Sequence, residues 1–143
     1  MSACTFFGHR DSPTDIKDIL FKTIELLITR NGVEIFFVGN NGSFDRIVLN
    51  TLKELKGKYP HIKYFVVLAY LSKHSAYEDS IFPDGIEFIP KRFAINFRNN
   101  YMLSKSDYVI TYTVCNVGGA VKFENMARRQ NKTVINIASC SLV

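Results

Sequence analysis

The chain has 143 residues, of which 47% are apolar and 22% charged. That is the size of one domain, and it is too apolar for a disordered segment. Its longest apolar run, residues 64–71, falls far short of the roughly 20 residues of a membrane span; residues 1–7 lack the basic start of a secretory leader; and Cys4, Cys115 and Cys140 have neither the number nor the spacing of a disulfide framework or a zinc site.

Residues 3–7 form a β-prone run, followed by a turn, Gly8-His9-Arg10-Asp11. Ser12 and Pro13 read as the N-cap and first turn of a helix over 14–30. Ile16, Ile19, Leu20, Ile24, Leu27 and Ile28 give that helix a half-buried stripe, and Asn31-Gly32 ends it. Residues 33–38 are almost continuously apolar, the pattern of a strand covered on both faces in a parallel sheet. The loop Gly39-Asn40-Asn41-Gly42 leads to Ser43, read as the N-cap of a second helix ending near Gly57. Residues 63–68 make a third strand, and 70–85 an irregular stretch read as a lid over the site. Residues 86–89 read as a short strand or extended run, 91–104 as a helix and 107–112 as another buried strand. Gly118 and Gly119 then open a helix to about 130, and 133–137 form the last strand.

Strands alternating with helices make βαβ units. The expected fold is α/β: one Rossmann-like three-layer domain with a mostly parallel sheet, spanning residues 1–143. Ligands of such sheets bind beyond the carboxyl ends of the strands. Three turns should gather there: Gly8-His9-Arg10, Gly39 to Ser43, and Asn116 to Gly119. Glycines followed by a helix N-terminus let the backbone approach an anion and offer it unpaired N–H groups. Two such cradles are expected, one at Gly39, Asn40, Gly42 and Ser43, the other at Gly118 and Gly119.

Asp45 reads equally as a first-turn carboxylate that favours the helix and as a partner for a ribose hydroxyl or a base. His9 reads as a solvated turn histidine rather than a general base. His61 and His74 lack acidic partners at metal spacing, so neither a metal nor a cofactor is expected. Tyr101 and Met102 fit the inner stripe of their helix, and of Arg92 and Arg98 only one can face the cleft. Cys4 and Cys140 read as buried, inert thiols. The net charge of +5 suits nucleic acid or a phosphorylated ligand; the basic residues are scattered, apart from Arg128-Arg129, which favours the ligand.

Thr5-Phe-Phe-Gly-His-Arg10, Phe37-Val-Gly-Asn-Asn-Gly-Ser-Phe-Asp45, Arg92-Phe-Ala-Ile95, Arg98-Asn99 and Gly118-Gly-Ala-Val-Lys-Phe123 together resemble the YpsA-like branch of the SLOG superfamily, in order along nearly the whole chain. That superfamily also holds the Lonely-guy phosphoribohydrolases and the DNA-processing protein DprA. The resemblance implies a Rossmann-like fold that binds a nucleotide or nucleotide-derived signal of bacterial and phage conflict systems. It also implies a cytoplasmic setting, in a bacterium or a phage host, and a homo-oligomer of two or more chains.

Lonely-guy enzymes cleave the N-glycosidic bond of nucleoside monophosphates with an Arg-Lys…Met helix and a Pro-Gly-Gly-x-Gly-Thr-x-x-Glu loop. Here Arg98-Asn99-Asn-Tyr-Met102 keeps the arginine and replaces the lysine. Val117, Val121 and Lys122 replace Pro, Gly and Thr of the loop. Asn125 stands where the catalytic glutamate would be, with Glu124 one residue early. Successive helix residues point about 100° apart, so Glu124 does not take that place, and Asn125 cannot serve as a general base. The expected function is therefore capture of a nucleotide-derived small molecule, of the ADP-ribose or cyclic-nucleotide kind, without turnover. Gly39, Asn40, Gly42, Ser43, Gly118, Gly119 and Lys122 would hold its phosphate, Arg10, Asp45, Arg98 and Asn125 would meet ribose, base or a second phosphate, and Gly8 is a further ligand-binding position. The first alternative is an N-glycosidase using Glu124 and Arg98; the second is a DprA-like module associated with nucleic acid.

Overall fold

A computed structural model describes residues 2–70, 79–114 and 118–140. Six strands, β1 (Ala3–Gly8), β2 (Ile35–Val38), β3 (Lys63–Val67), β4 (Ser80–Ile81), β5 (Tyr108–Tyr112) and β6 (Thr133–Asn136), lie in the order β4-β3-β2-β1-β5-β6. Every pairing is parallel. The helices are α1 (Lys17–Asn31), α2 (Gly42–Lys58), α3 (Ala94–Ser104), α4 (Gly119–Arg129) and the short α5 (Ile137–Cys140).

The strand period of two builds the layers. Cys4 and Phe6 of β1, with Phe36 and Val38 of β2, pack on Leu20, Ile24 and Leu27 of α1 and Val48, Leu52 and Leu55 of α2. Ala3 and Phe7, with Phe37, face the other way onto Met102 and Leu103 of α3 and Phe123 and Ala127 of α4. Both faces of the sheet are therefore covered, which explains the continuous apolar strands. The result is one Rossmann-like three-layer domain. Among the described residues no helix is long and apolar enough to cross a membrane.

Local chemistry departs from expectation at four points. Gly32 does end α1 with a left-handed φ of 67°, but Ser12 is not its N-cap: Ser12 Oγ donates to the His9 carbonyl (2.6 Å), and a 3-10 turn over Thr14–Ile16 precedes α1. Ser43 does not cap α2 either. Asn41 holds that position, and Ser43 Oγ donates to the carbonyls of Arg10 (2.8 Å) and Ser12 (2.9 Å). Ile86–Phe88 is a 3-10 turn rather than a strand, entered through Gly85 at φ 86°. The stretch read as irregular contributes β4, paired with β3 through Val66 and Val67; the remainder of the expected lid, residues 71–78, lies outside the described residues. Cys4 is buried, and burial pushes its thiol up, away from reactivity. The side chain of Cys140 lies outside the described residues.

Candidate functional site

The strand order reverses at β1. From there the chain builds outward through β2, β3 and β4, then α3 carries it back across the sheet to β5 on the other side of β1. Beyond the carboxyl ends of β1 and β5 the outgoing loops diverge, leaving the crevice where open α/β sheets take ligands. A cavity of about 420 Å³ sits in that crevice, within the usual range for a small-molecule site. Its walls are the β1 loop (Gly8, His9, Arg10), the start of α2 (Asn41, Asp45), one face of α3 (Ile95, Arg98, Met102) and the start of α4 (Gly118, Gly119).

The two glycine loops have different fates. In the first, the groups expected to hold an anion already hold the protein. Ser43 N–H donates to the Arg10 carbonyl at 2.7 Å, and Asn41 N–H donates to Asp45 Oδ2 at 2.9 Å. Gly42, at φ 91°, lets Arg10 close in: a Cβ there would stand 2.7 Å from Arg10 Cα. A Cβ on Gly8 would enter the Phe44 ring at 2.2 Å, and one on Gly39 would meet Asp45 Oδ2 at 2.8 Å and Arg98 Cζ at 3.0 Å. These glycines lock the β1 loop, α2 and α3 together.

Asn116 and Val117 of the second loop lie outside the described residues. Gly118, at φ 116°, precedes α4, and among the described residues no side chain caps the helix. The first N–H groups of α4 therefore have no partner inside the helix. Among the described residues, a Cβ on Gly118 or Gly119 would meet nothing within 4 Å.

Arg98 projects from α3 into the floor of the cavity and is 2% exposed. Its Nε donates to Asn99 Oδ1 (3.0 Å), and Nη1 donates to Asn40 Oδ1 (3.1 Å) and to the Val67 carbonyl (3.3 Å). All are neutral acceptors. Among the described residues no carboxylate oxygen lies within 4.0 Å of it, and no acceptor meets Nη2. Burial pulls its pKa down, opposed by the charge of Asp45. A buried guanidinium without an anionic partner is costly, and here it faces a cavity.

Asp45 shares that floor. Burial raises its pKa to about 6, against the Asn41 N–H and Arg98, which lower it. Perturbed groups facing a cleft are characteristic of functional sites.

Of the expected site residues, Gly8, Arg10, Asp45, Arg98, Gly118 and Gly119 come together around the cavity. Gly39, Asn40, Gly42 and Ser43 do not line it: Asn40 Oδ1 accepts from Arg98, Ser43 Oγ donates to the β1 loop, and Gly39 and Gly42 lie close against Arg98 and Arg10. Lys122 and Asn125 are exposed on α4 and do not line the cavity; Lys122 Nζ lies 5.4 Å from the centre of the Phe123 ring. Glu124 is buried beside β5, where its Oε2 accepts from the hydroxyls of Thr111 and Thr113. Arg92 stacks on Phe93 outside the cavity, so Arg98 is the one that faces it. Sequence reasoning missed Asn41 and took His9 for a solvated residue. His9 is half-buried, and its Nε2 accepts the Val114 N–H at 3.0 Å, tying the β1 loop to the end of β5. A histidine directly after a central strand was the available signal. Neither a protein-family model nor a curated protein matches the chain.

Proposed function

We propose that this domain, read as a SLOG-type fold, captures a phosphate-bearing, nucleotide-derived small molecule in the β1/β5 crevice without turning it over, serving as a sensor or a sponge for it. The observation that carries the reading is the pairing, within one cavity, of the α4 N-terminus at Gly118-Gly119 with a buried Arg98, the first without a side-chain cap and the second without an anionic partner among the described residues. Both features seek electron-rich oxygen. Arg10, exposed at the rim, adds positive potential at the entrance.

Binding without hydrolysis is favoured by the position of Glu124, the carboxylate that the hydrolytic reading would use. Glu124 is engaged by two threonine hydroxyls away from the cavity lining, so a hydrolytic role would require it to leave both. The placement of the ligand is tested by Gly119→Asp, which adds a carboxylate to an otherwise open cradle. Calorimetric titration with AMP or ADP-ribose should show affinity falling at least tenfold, with the circular-dichroism melt little changed. Unaltered affinity would move the site elsewhere.

A further inference from the structure

Two opposite charges share the cavity floor without forming an ion pair. Gly39 lies between them, and its Cα would bring a Cβ to 2.8 Å from Asp45 Oδ2 and 3.0 Å from Arg98 Nη1. Asp45 Oδ2 is held by the Asn41 N–H, whereas Oδ1 has no donor among the described residues. Arg98 has the complementary vacancy at Nη2. Neither vacant atom is sealed in the protein interior, since no buried side-chain oxygen or nitrogen lacks a partner among the described residues. Both residues line the cavity, which thus offers a charged donor and a charged acceptor that each have a hydrogen-bond position to spare.

This arrangement does not suit a bare anion. A sulfate on Arg98 would bring its negative charge against Asp45 with nothing to donate to it, and a hydrogen phosphate, whose P–OH can donate, would still set its net charge against the carboxylate. A hydroxyl satisfies both at once, because it accepts through a lone pair while donating its proton. We infer that Arg98 and Asp45 together read a sugar hydroxyl, so that the ligand is a phosphate ester of a hydroxylated sugar, with its phosphate on the α4 N-terminus and a ribose hydroxyl bridging the two side chains. The inference rests on the anion-binding reading of Gly118-Gly119 given above. It divides the site by element: α4 takes charge, and α2 with α3 tests for the diol. A hydrogen bond to a charged group adds enough to make the discrimination about tenfold or more.

The test compares AMP, 2′,3′-dideoxy-AMP and inorganic phosphate by titration calorimetry on the native chain, Asp45→Asn and Asp45→Ala, with melts to verify folding. The native chain should bind AMP at least tenfold more tightly than the dideoxy compound. Both variants should lose that preference, while inorganic phosphate binds them as well as, or better than, the native chain. Equal affinity of the native chain for AMP and dideoxy-AMP would overturn the hydroxyl reader and leave the anion site standing. So would tighter AMP binding by Asp45→Asn, the result expected if Asp45 were only a repulsive neighbour. Failure of all three compounds to bind up to millimolar concentration would remove both the reader and the anion site.

Discussion

Asp45 carries a measurable burden for the fold. Its carboxyl has a pKa of about 6 in the folded chain against an ordinary 3.8, so the folded state holds this proton more tightly than the unfolded one. Stability from this group therefore rises as pH falls through 6 towards 4, and above pH 6 the ionised form weighs against folding by up to about 3 kcal/mol. Asparagine has the same shape and keeps an oxygen for the Asn41 N–H. Asp45→Asn should accordingly melt several degrees higher than the native chain at pH 7.5, with the difference closing by about pH 4. A lower melting point at pH 7.5 would mean that the ionised carboxylate is better compensated than its surroundings indicate. A group that weighs against folding while it faces a cavity is the pattern of a residue kept for its site.

At the level of loops and helices, what matters is which glycine faces protein and which faces open space. Gly42→Ala would force a side chain onto backbone at φ 91° with Arg10 Cα only 2.7 Å away. Gly119→Ala meets nothing and replaces a flexible residue in the first turn of α4. Urea titration should show the first losing more than about 1 kcal/mol and the second close to neutral. Equal losses would mean that the roles of the two loops are misassigned. The distinction is invisible in sequence, because Gly39-Asn-Asn-Gly42 and Gly118-Gly119 carry the same local signal. What separates them is a carbonyl from another loop, that of Arg10, which reaches Ser43 in the first and has no counterpart in the second among the described residues. Ser12 and Ser43 mislead for the same reason: both are good cap residues, yet their hydroxyls go to carbonyls brought near by tertiary packing. The long strands and helices were legible because their apolar periods are local; β4, only two residues long, has no period to read.

Across the whole molecule, the parallel order set by alternating strands and helices brings residues from β1, α2, α3 and α4 to a single crevice, and that convergence could be expected from the sequence. The burial of Arg98 could not: the stripe through Tyr101 and Met102 shows that only one of Arg92 and Arg98 can face the cleft, without showing which. The placement of Glu124 separates the binding and hydrolytic readings. Its carboxylate ties Thr111 and Thr113 together, with Arg128 Nη2 3.9 Å from its other oxygen, and Thr113 passes the network on to Asn136 at the end of β6. A carboxylate used this way braces β5, α4 and β6. Incubation with AMP, other mononucleotides or ADP-ribose should therefore release no base above a protein-free control, and bound ligand should be recovered intact after denaturation. Loss of a general acid–base group costs about 10²–10⁴ in rate, which leaves turnover near the limit of detection. Glu124→Gln, which puts an amide where two hydroxyls donate, should lower the melting temperature and leave ligand affinity close to native. Steady base release by the native chain, abolished by Glu124→Gln in a variant that still folds and binds, would replace capture with N-glycosidic hydrolysis.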